Sequence, residues 1–135
     1  MQPCHELPPA ELQKAIDEFN SGDWFECHET LEELWVGEKG ELRDFYQGVL
    51  QIAVALYHWR NGNLKGALGL LEKGSRCLSR VPAVCLGVDV SRLVADAGKV
   101  GEALAALGEE RMSELGHHLV PALHRVESSC EAGGE

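Results

Sequence analysis

The sequence predicts an all-α protein: a single-domain bundle of about five helices around a central buried helix at residues 42–61, with a short extra helix near the C-terminus. Three observations carry that expectation. Apolar residues recur at three- and four-residue spacing in five successive segments. Gly, Asn and Pro fall between those segments. No run alternates apolar and polar residues for long enough to suggest a strand, and no internal repeat is visible. A length of 135 residues suits one domain, and 44% hydrophobic with 25% charged residues is ordinary globular composition.

Residues 1–7 read as a loose lead-in. Pro8 and Pro9 open a first helix, since proline suits the first helical turn, and Leu12, Ala15, Ile16 and Phe19 give it an apolar face. Asn20-Ser21-Gly22 stops it. Asp23 is placed to cap a second helix, with Glu26 three residues on in a capping-box pattern. That helix, from Trp24 to about Val36, gathers Trp24, Cys27, His28, Leu31, Leu34 and Trp35 on one face. Glu32 borders that face, while Glu26, Glu29 and Glu33 point to the solvated side.

Gly37 and Gly40 mark the turn into the central helix. Its heart, Phe45 to Trp59, contains no Asp, Glu, Lys or Arg, and a helix apolar nearly all round belongs in the middle of a domain. Asn61-Gly62 ends it. Asn63 caps a fourth helix reaching about Ser79, carried by Leu64, Ala67, Leu68, Leu71, Ser75 and Leu78. Gly66 and Gly74 lie on or near its packing face, where they let a neighbouring backbone approach; Gly69 points outward. Pro82 breaks the chain, and residues 81–88 form an apolar connection across the bundle. Asp89 caps a fifth helix to about Leu107, and Gly108 ends it. Residues 109–115 suit a short helix, Pro121 interrupts the segment beyond it, and 128–135 read as a disordered tail. The expected division is a bundle at 1–107 and a short helix with tail at 108–135.

The formal net charge of -10 argues against a nucleic-acid backbone or an anionic membrane as partner. The one basic cluster, Lys73, Arg76 and Arg80, lies where cations complement a helix C-terminus. Five cysteines, odd in number and without a C-x-x-C pair, form neither a disulfide framework nor a zinc ribbon. The N-terminus shows no basic region followed by an apolar run, so no signal peptide is expected, and the central apolar run is too short to span a bilayer. The simplest reading is a reduced, cytoplasmic, soluble protein.

Chemistry concentrates in one place. On the helical wheel Gln47, Gln51 and His58 form a thin polar seam on the central helix, with Asp44 beside it, and such a seam needs something polar opposite. His28 and Glu32, at i and i+4 on the preceding helix, can reach a common point. His28, Glu32 and His58 are therefore the candidate ligands of a divalent metal, and together with Glu29, Gln47 and Gln51 the candidate binding set for a small molecule. The competing reading makes the cluster structural: a buried His–Glu pair and two glutamines that fix helix register in a non-catalytic interaction or scaffolding module, with self-association as one form. Glu32 stands where H-E-x-x-H needs its second histidine, so the metalloprotease motif fails. His117, His118 and His124 read as surface residues, and Cys27, a helical neighbour of His28, does not face it.

The segments F-N-S-G-D-W-F-E-C-H-E-T-L-E-E-L-W at 19–35, F-Y-Q-G-V-L-Q-I-A-V-A-L-Y-H at 45–58 and G-N-L-K-G-A-L-G-L-L-E-K-G at 62–74 resemble the family labelled domain of unknown function 309. L-G-V-D-V at 86–90 is also similar, and the resemblance covers residues 11 to about 107. Cys27 departs from it, since the family usually has a small residue there. The resemblance implies a small helical bundle found in bacteria and archaea, with no established activity. It places the family's polar motif positions on His28, Glu29, Glu32, Gln47, Gln51, His58 and Asn63, restoring Glu29 to the candidate set.

Overall fold

The computed structural model describes residues 3–126. Within them the chain forms α1 (Ala10–Asn20), α2 (Trp24–Val36), α3 (Gly40–Arg60), α4 (Leu64–Leu78) and α5 (Val90–Arg111). Short connections make sequence neighbours antiparallel neighbours in space. The expected all-α bundle is what the chain adopts, with α3 at its centre, packed most extensively on α4 and next on α2. Phe45, Tyr46, Val49, Ile52, Ala53, Ala55 and Leu56 of α3 are all within 1% of complete burial. None of the described helices is long and apolar enough to cross a membrane.

Two turns of one design close the helical hairpins. Asp23 N–H donates to Glu18 C=O at 2.8 Å, and Asn63 N–H to His58 C=O at 2.8 Å, each reaching back five residues. Gly22 and Gly62 sit just before them at φ 80° and 79°, the left-handed position that glycine takes without penalty in this helix stop. The helix after each turn begins differently. The Asn63 side chain accepts from Gly66 N–H at 2.9 Å, the expected cap, whereas Asp23 occupies the cap position without a side-chain bond, so the expected capping box with Glu26 does not form. Asp89 does cap α5, accepting from Arg92 N–H at 3.0 Å.

The α3–α4 contact is close because both helices offer glycine at the crossing. A Cβ on Gly74 would lie 2.8 Å from the Gly48 carbonyl oxygen, and one on Gly48 would lie 2.5 Å from Leu78 Cγ. No comparable neighbour lies within 4 Å of Gly69. The expected difference between packing-face and outward glycines in α4 therefore holds.

Three regions differ from the sequence reading. The lead-in is not loose where it is described: Cys4 is 3% exposed and disulfide-bonded to Cys85, 81 positions away, and Cys4 C=O accepts from Leu86 N–H at 2.7 Å. The expectation of reduced, unpaired cysteines fails for this pair because odd number and wide spacing carry no information on which thiols the fold brings together. The apolar connection contains a minimal hairpin, β1 (Val84–Cys85) against β2 (Val88–Asp89). Leu86 and Gly87 turn it at φ 50° and 79°, the pair of left-handed residues that a tight hairpin twist requires.

The chain after Gly108, which leaves helical geometry at φ 78° and ψ 174°, caps one end of the bundle. Met112, Leu115 and Leu123 join the core. Asn20 clamps Leu123 through both of its backbone groups, at 2.7 and 3.1 Å, and Trp59 Nε1–H donates to Met112 C=O at 2.8 Å. The tail expected at 128–135 lies outside the described residues.

Candidate functional site: a half-exposed polar strip on the central helix

Successive helical residues rotate by about 100°, so Gln47, Gln51, Val54 and His58 fall within roughly 60° of one another on α3. All four are half-exposed, as are Leu50 and Tyr57. The seam is thus a strip open to solvent rather than a buried line. Its hydrogen bonds run to α4 and the turn just after it: Arg80 meets Asp44 at 3.3 Å, and the Cys77 thiol donates to Gln51 Oε1 at 3.6 Å. At the far end Asn63 Nδ2 lies 3.4 Å from His58 Nδ1. Because Asn63 Oδ1 is committed to the Gly66 N–H, the amide presents its N–H to the ring, so Nδ1 accepts and Nε2 carries the proton. Gly66 leaves room for that ring, since a Cβ there would fall 2.9 Å from His58 Cδ2.

The sequence reading set this seam against α2. A wheel gives a direction around a helix, not the neighbour found there, and the strip lies between α2 and α4. What α2 contributes is one edge. Phe25, His28 and Glu32 share that edge at helical spacing, and Phe25 meets Tyr57 with ring centroids 5.8 Å apart and His28 at 6.2 Å. His28 is half-buried, Glu29 and Glu32 are exposed, and Phe25 is 48% exposed. Among the described residues the side chains of His28, Glu29, Glu32 and Gln47 have no hydrogen-bond partner, so the buried His28–Glu32 pair does not form. Nor do three or more His, Cys, Asp or Glu side chains converge anywhere among them as a metal site. His28, Glu32 and His58 are accordingly not assembled as a ligand set: His58 is turned to the α4 side and Glu32 to solvent.

Cys27 is fully buried, and its thiol donates to Ala15 C=O at 3.3 Å. Burial, and after it the charge of Glu18, pushes its pKa well above the usual thiol range, so no thiolate nucleophile is available there. His117 and His118 are exposed and His124 half-exposed.

Sequence reasoning missed a second feature. A cleft of 610 Å3 opens between the α1–α2 turn, the end of α3 and the segment after α5. Its walls include Gly22, Trp24, Trp59, Arg60, Ser113 and His117. Arg60 is held there, donating to Gly22 C=O at 2.7 Å with its guanidinium 4.6 Å from the Trp24 ring centroid. No periodic pattern links residues 20–24, 59–60 and 113–122, so only the fold brings them together. The similar glycine turns, which place chain reversals at helix ends, were the one available hint.

A family described as Domain of unknown function (DUF309) has a model that matches residues 12–70. The uncharacterised protein YpuF of Bacillus subtilis (strain 168) is 37% identical over 90 residues, which is 64% of this chain and 52% of that protein. An uncharacterised protein of Aquifex aeolicus (strain VF5) is 26% identical over 83 residues, 61% of this chain and 25% of that protein. The chain thus spans about half the length of the first relative and a quarter of the second.

Proposed function

From the match of residues 12–70 to the DUF309 family model, we propose that this chain is a recognition module whose α3 strip binds a polypeptide segment. One observation carries this reading. Hydrogen-bonding groups without partners among the described residues, His28 and Gln47, lie on an open, half-exposed strip beside the 48% exposed ring of Phe25. Amphipathic contact of this kind, an aromatic anchor next to free polar groups, is how protein surfaces are read. Exposed Glu32 on the α2 edge and the Arg80–Asp44 ion pair at one end give the strip an electrostatic polarity that can also orient what it binds.

The small-molecule reading of the same residues has less support. A small ligand binds best where most of its surface is enclosed, and neither the cleft at the bundle end nor the shallow hollow beside Asn63 and Lys73 is lined by any of His28, Glu29, Glu32, Gln47, Gln51 and His58. The divalent-metal version lacks a converging donor set among the described residues. Site-specific photo-crosslinking tests the proposal. A photoreactive residue at Gln47 is expected to give one discrete polypeptide adduct in the cells that naturally make the protein, lost when Phe25→Ala and His28→Ala are added. The same residue at exposed Gly98 on α5 should give none. An adduct of twice the chain mass would identify a second copy as the partner. No adduct from Gln47, or equal adducts from both positions, would overturn the proposal.

A further inference from the structure

The cleft at the end of the bundle has a chemistry opposite to that of the chain as a whole. The protein carries a formal net charge of -10, yet among the described residues the cleft lining contains no Asp or Glu. It contains Arg60, His117 and the hydroxyls of Ser21 and Ser113, all of them able to donate. Two indoles, Trp24 and Trp59, supply flat apolar wall.

The walls are fixed in place. The Asn20 clamp on Leu123 holds the segment that carries Pro121 and Ala122, and the Trp59–Met112 hydrogen bond holds the other side. Arg60 has one nitrogen committed to Gly22 C=O, while the others make no bond among the described residues. Trp24 belongs to the fixed wall. It is 5% exposed, and its Nε1–H is buried without a hydrogen-bond partner among the described residues. That N–H is closed off from the open cleft, so Trp24 contributes its indole face as wall rather than a donor to an occupant.

We propose that this cleft binds a small organic anion: a carboxylate held by Arg60 with support from His117 and Ser113, attached to an apolar body that packs on the indoles. Guanidinium groups bind carboxylates through paired N–H donors, and aromatic walls favour a planar apolar group. The site is separate from the α3 strip and stands or falls without it.

Titration with benzoate, followed by NMR of the tryptophan indole N–H groups in the full chain, tests the proposal. Trp35 is the internal reference, because its Nε1–H is also buried and unpartnered but lies outside the cleft. The expected result is a saturable shift of the Trp24 signal with the Trp35 signal unmoved, and tighter apparent binding for benzoate than for acetate. Arg60→Gln should weaken benzoate binding roughly tenfold or more, the loss expected for one charge-assisted interaction. Arg60 also braces the Gly22 turn, so the exposed His117→Gln offers a variant that leaves the fold untouched, and it should weaken binding by a smaller factor. An unsaturable shift, equal movement of Trp24 and Trp35, or benzoate binding unchanged in both variants would overturn the assignment.

Discussion

At the scale of single residues, glycine and asparagine show how local geometry decides the sign of a substitution. Gly69 and Gly74 share one helix, and alanine at either would gain the same intrinsic helix preference, about 0.5–1 kcal/mol. At Gly69 nothing lies within 4 Å of the added methyl, so Gly69→Ala should raise the urea midpoint. At Gly74 the methyl would lie 2.8 Å from a backbone oxygen of α3, which cannot rotate away. Gly74→Ala should therefore cost about 1–3 kcal/mol net by forcing the two helices apart; equal midpoints for the two variants would contradict the packing described. The two helix caps make a similar pair. Asn63→Ala removes a bond to Gly66 N–H and the contact that sets the His58 ring, and should cost about 1 kcal/mol. Asp23→Ala removes no side-chain cap bond, and its midpoint should scarcely move.

At the scale of elements, the helices were legible and their partners were not. Periodicity and the stops at Gly22 and Gly62 placed the ends of α1 to α4 to within about two residues, because those signals are local. By contrast, α5 continues past the expected end at Leu107 to Arg111, with its break at Gly108. The polar strip was legible as a set, since Gln47, Gln51 and His58 share one helix. Its surroundings were not, since whether α2 or α4 lies beside it depends on packing between helices. Hardest to see was the 84–89 hairpin with its Cys4 bond: strands of two residues show no alternation, and a disulfide across 81 positions has no sequence signature. That bond matters because it fastens the segment before α1 to the connection before α5. In the chain-entropy view, closing so long a loop contributes about 4–5 kcal/mol. Cys85→Ser should lower stability by that order and accelerate amide exchange in the hairpin, at Leu86 above all, whose N–H is bonded to Cys4 C=O. If exchange rises evenly over all helices instead, the bond stabilises the chain without serving as a local anchor.

At the scale of the whole molecule, burial around α3 fixes how stability responds to alkali. Tyr46, 1% exposed at the heart of that helix, has its phenol pKa pushed up to about 12, chiefly by burial and then by the charges of Glu38 and Glu6. In the unfolded chain the same phenol ionises near pH 10. Below that pH both states hold the proton and nothing is lost. As pH rises from about 10 to 12 the unfolded state releases its proton first, so stability falls, by at most about 3 kcal/mol from this group. Cys27 acts in the same direction and starts earlier, near pH 8.5, where an unfolded thiol ionises. Growing negative charge on a chain already at -10 adds a general repulsion, so the wild-type slope alone assigns nothing. Variants separate the contributions, because that repulsion is nearly common to them. Urea midpoints measured from pH 8 to 11.5 should fall less steeply above pH 10 in Tyr46→Phe and less steeply between pH 8.5 and 10 in Cys27→Ala. If both variants track the wild type in slope, the alkaline loss comes from surface charge, and the two buried groups keep their protons equally well in the folded and unfolded chains.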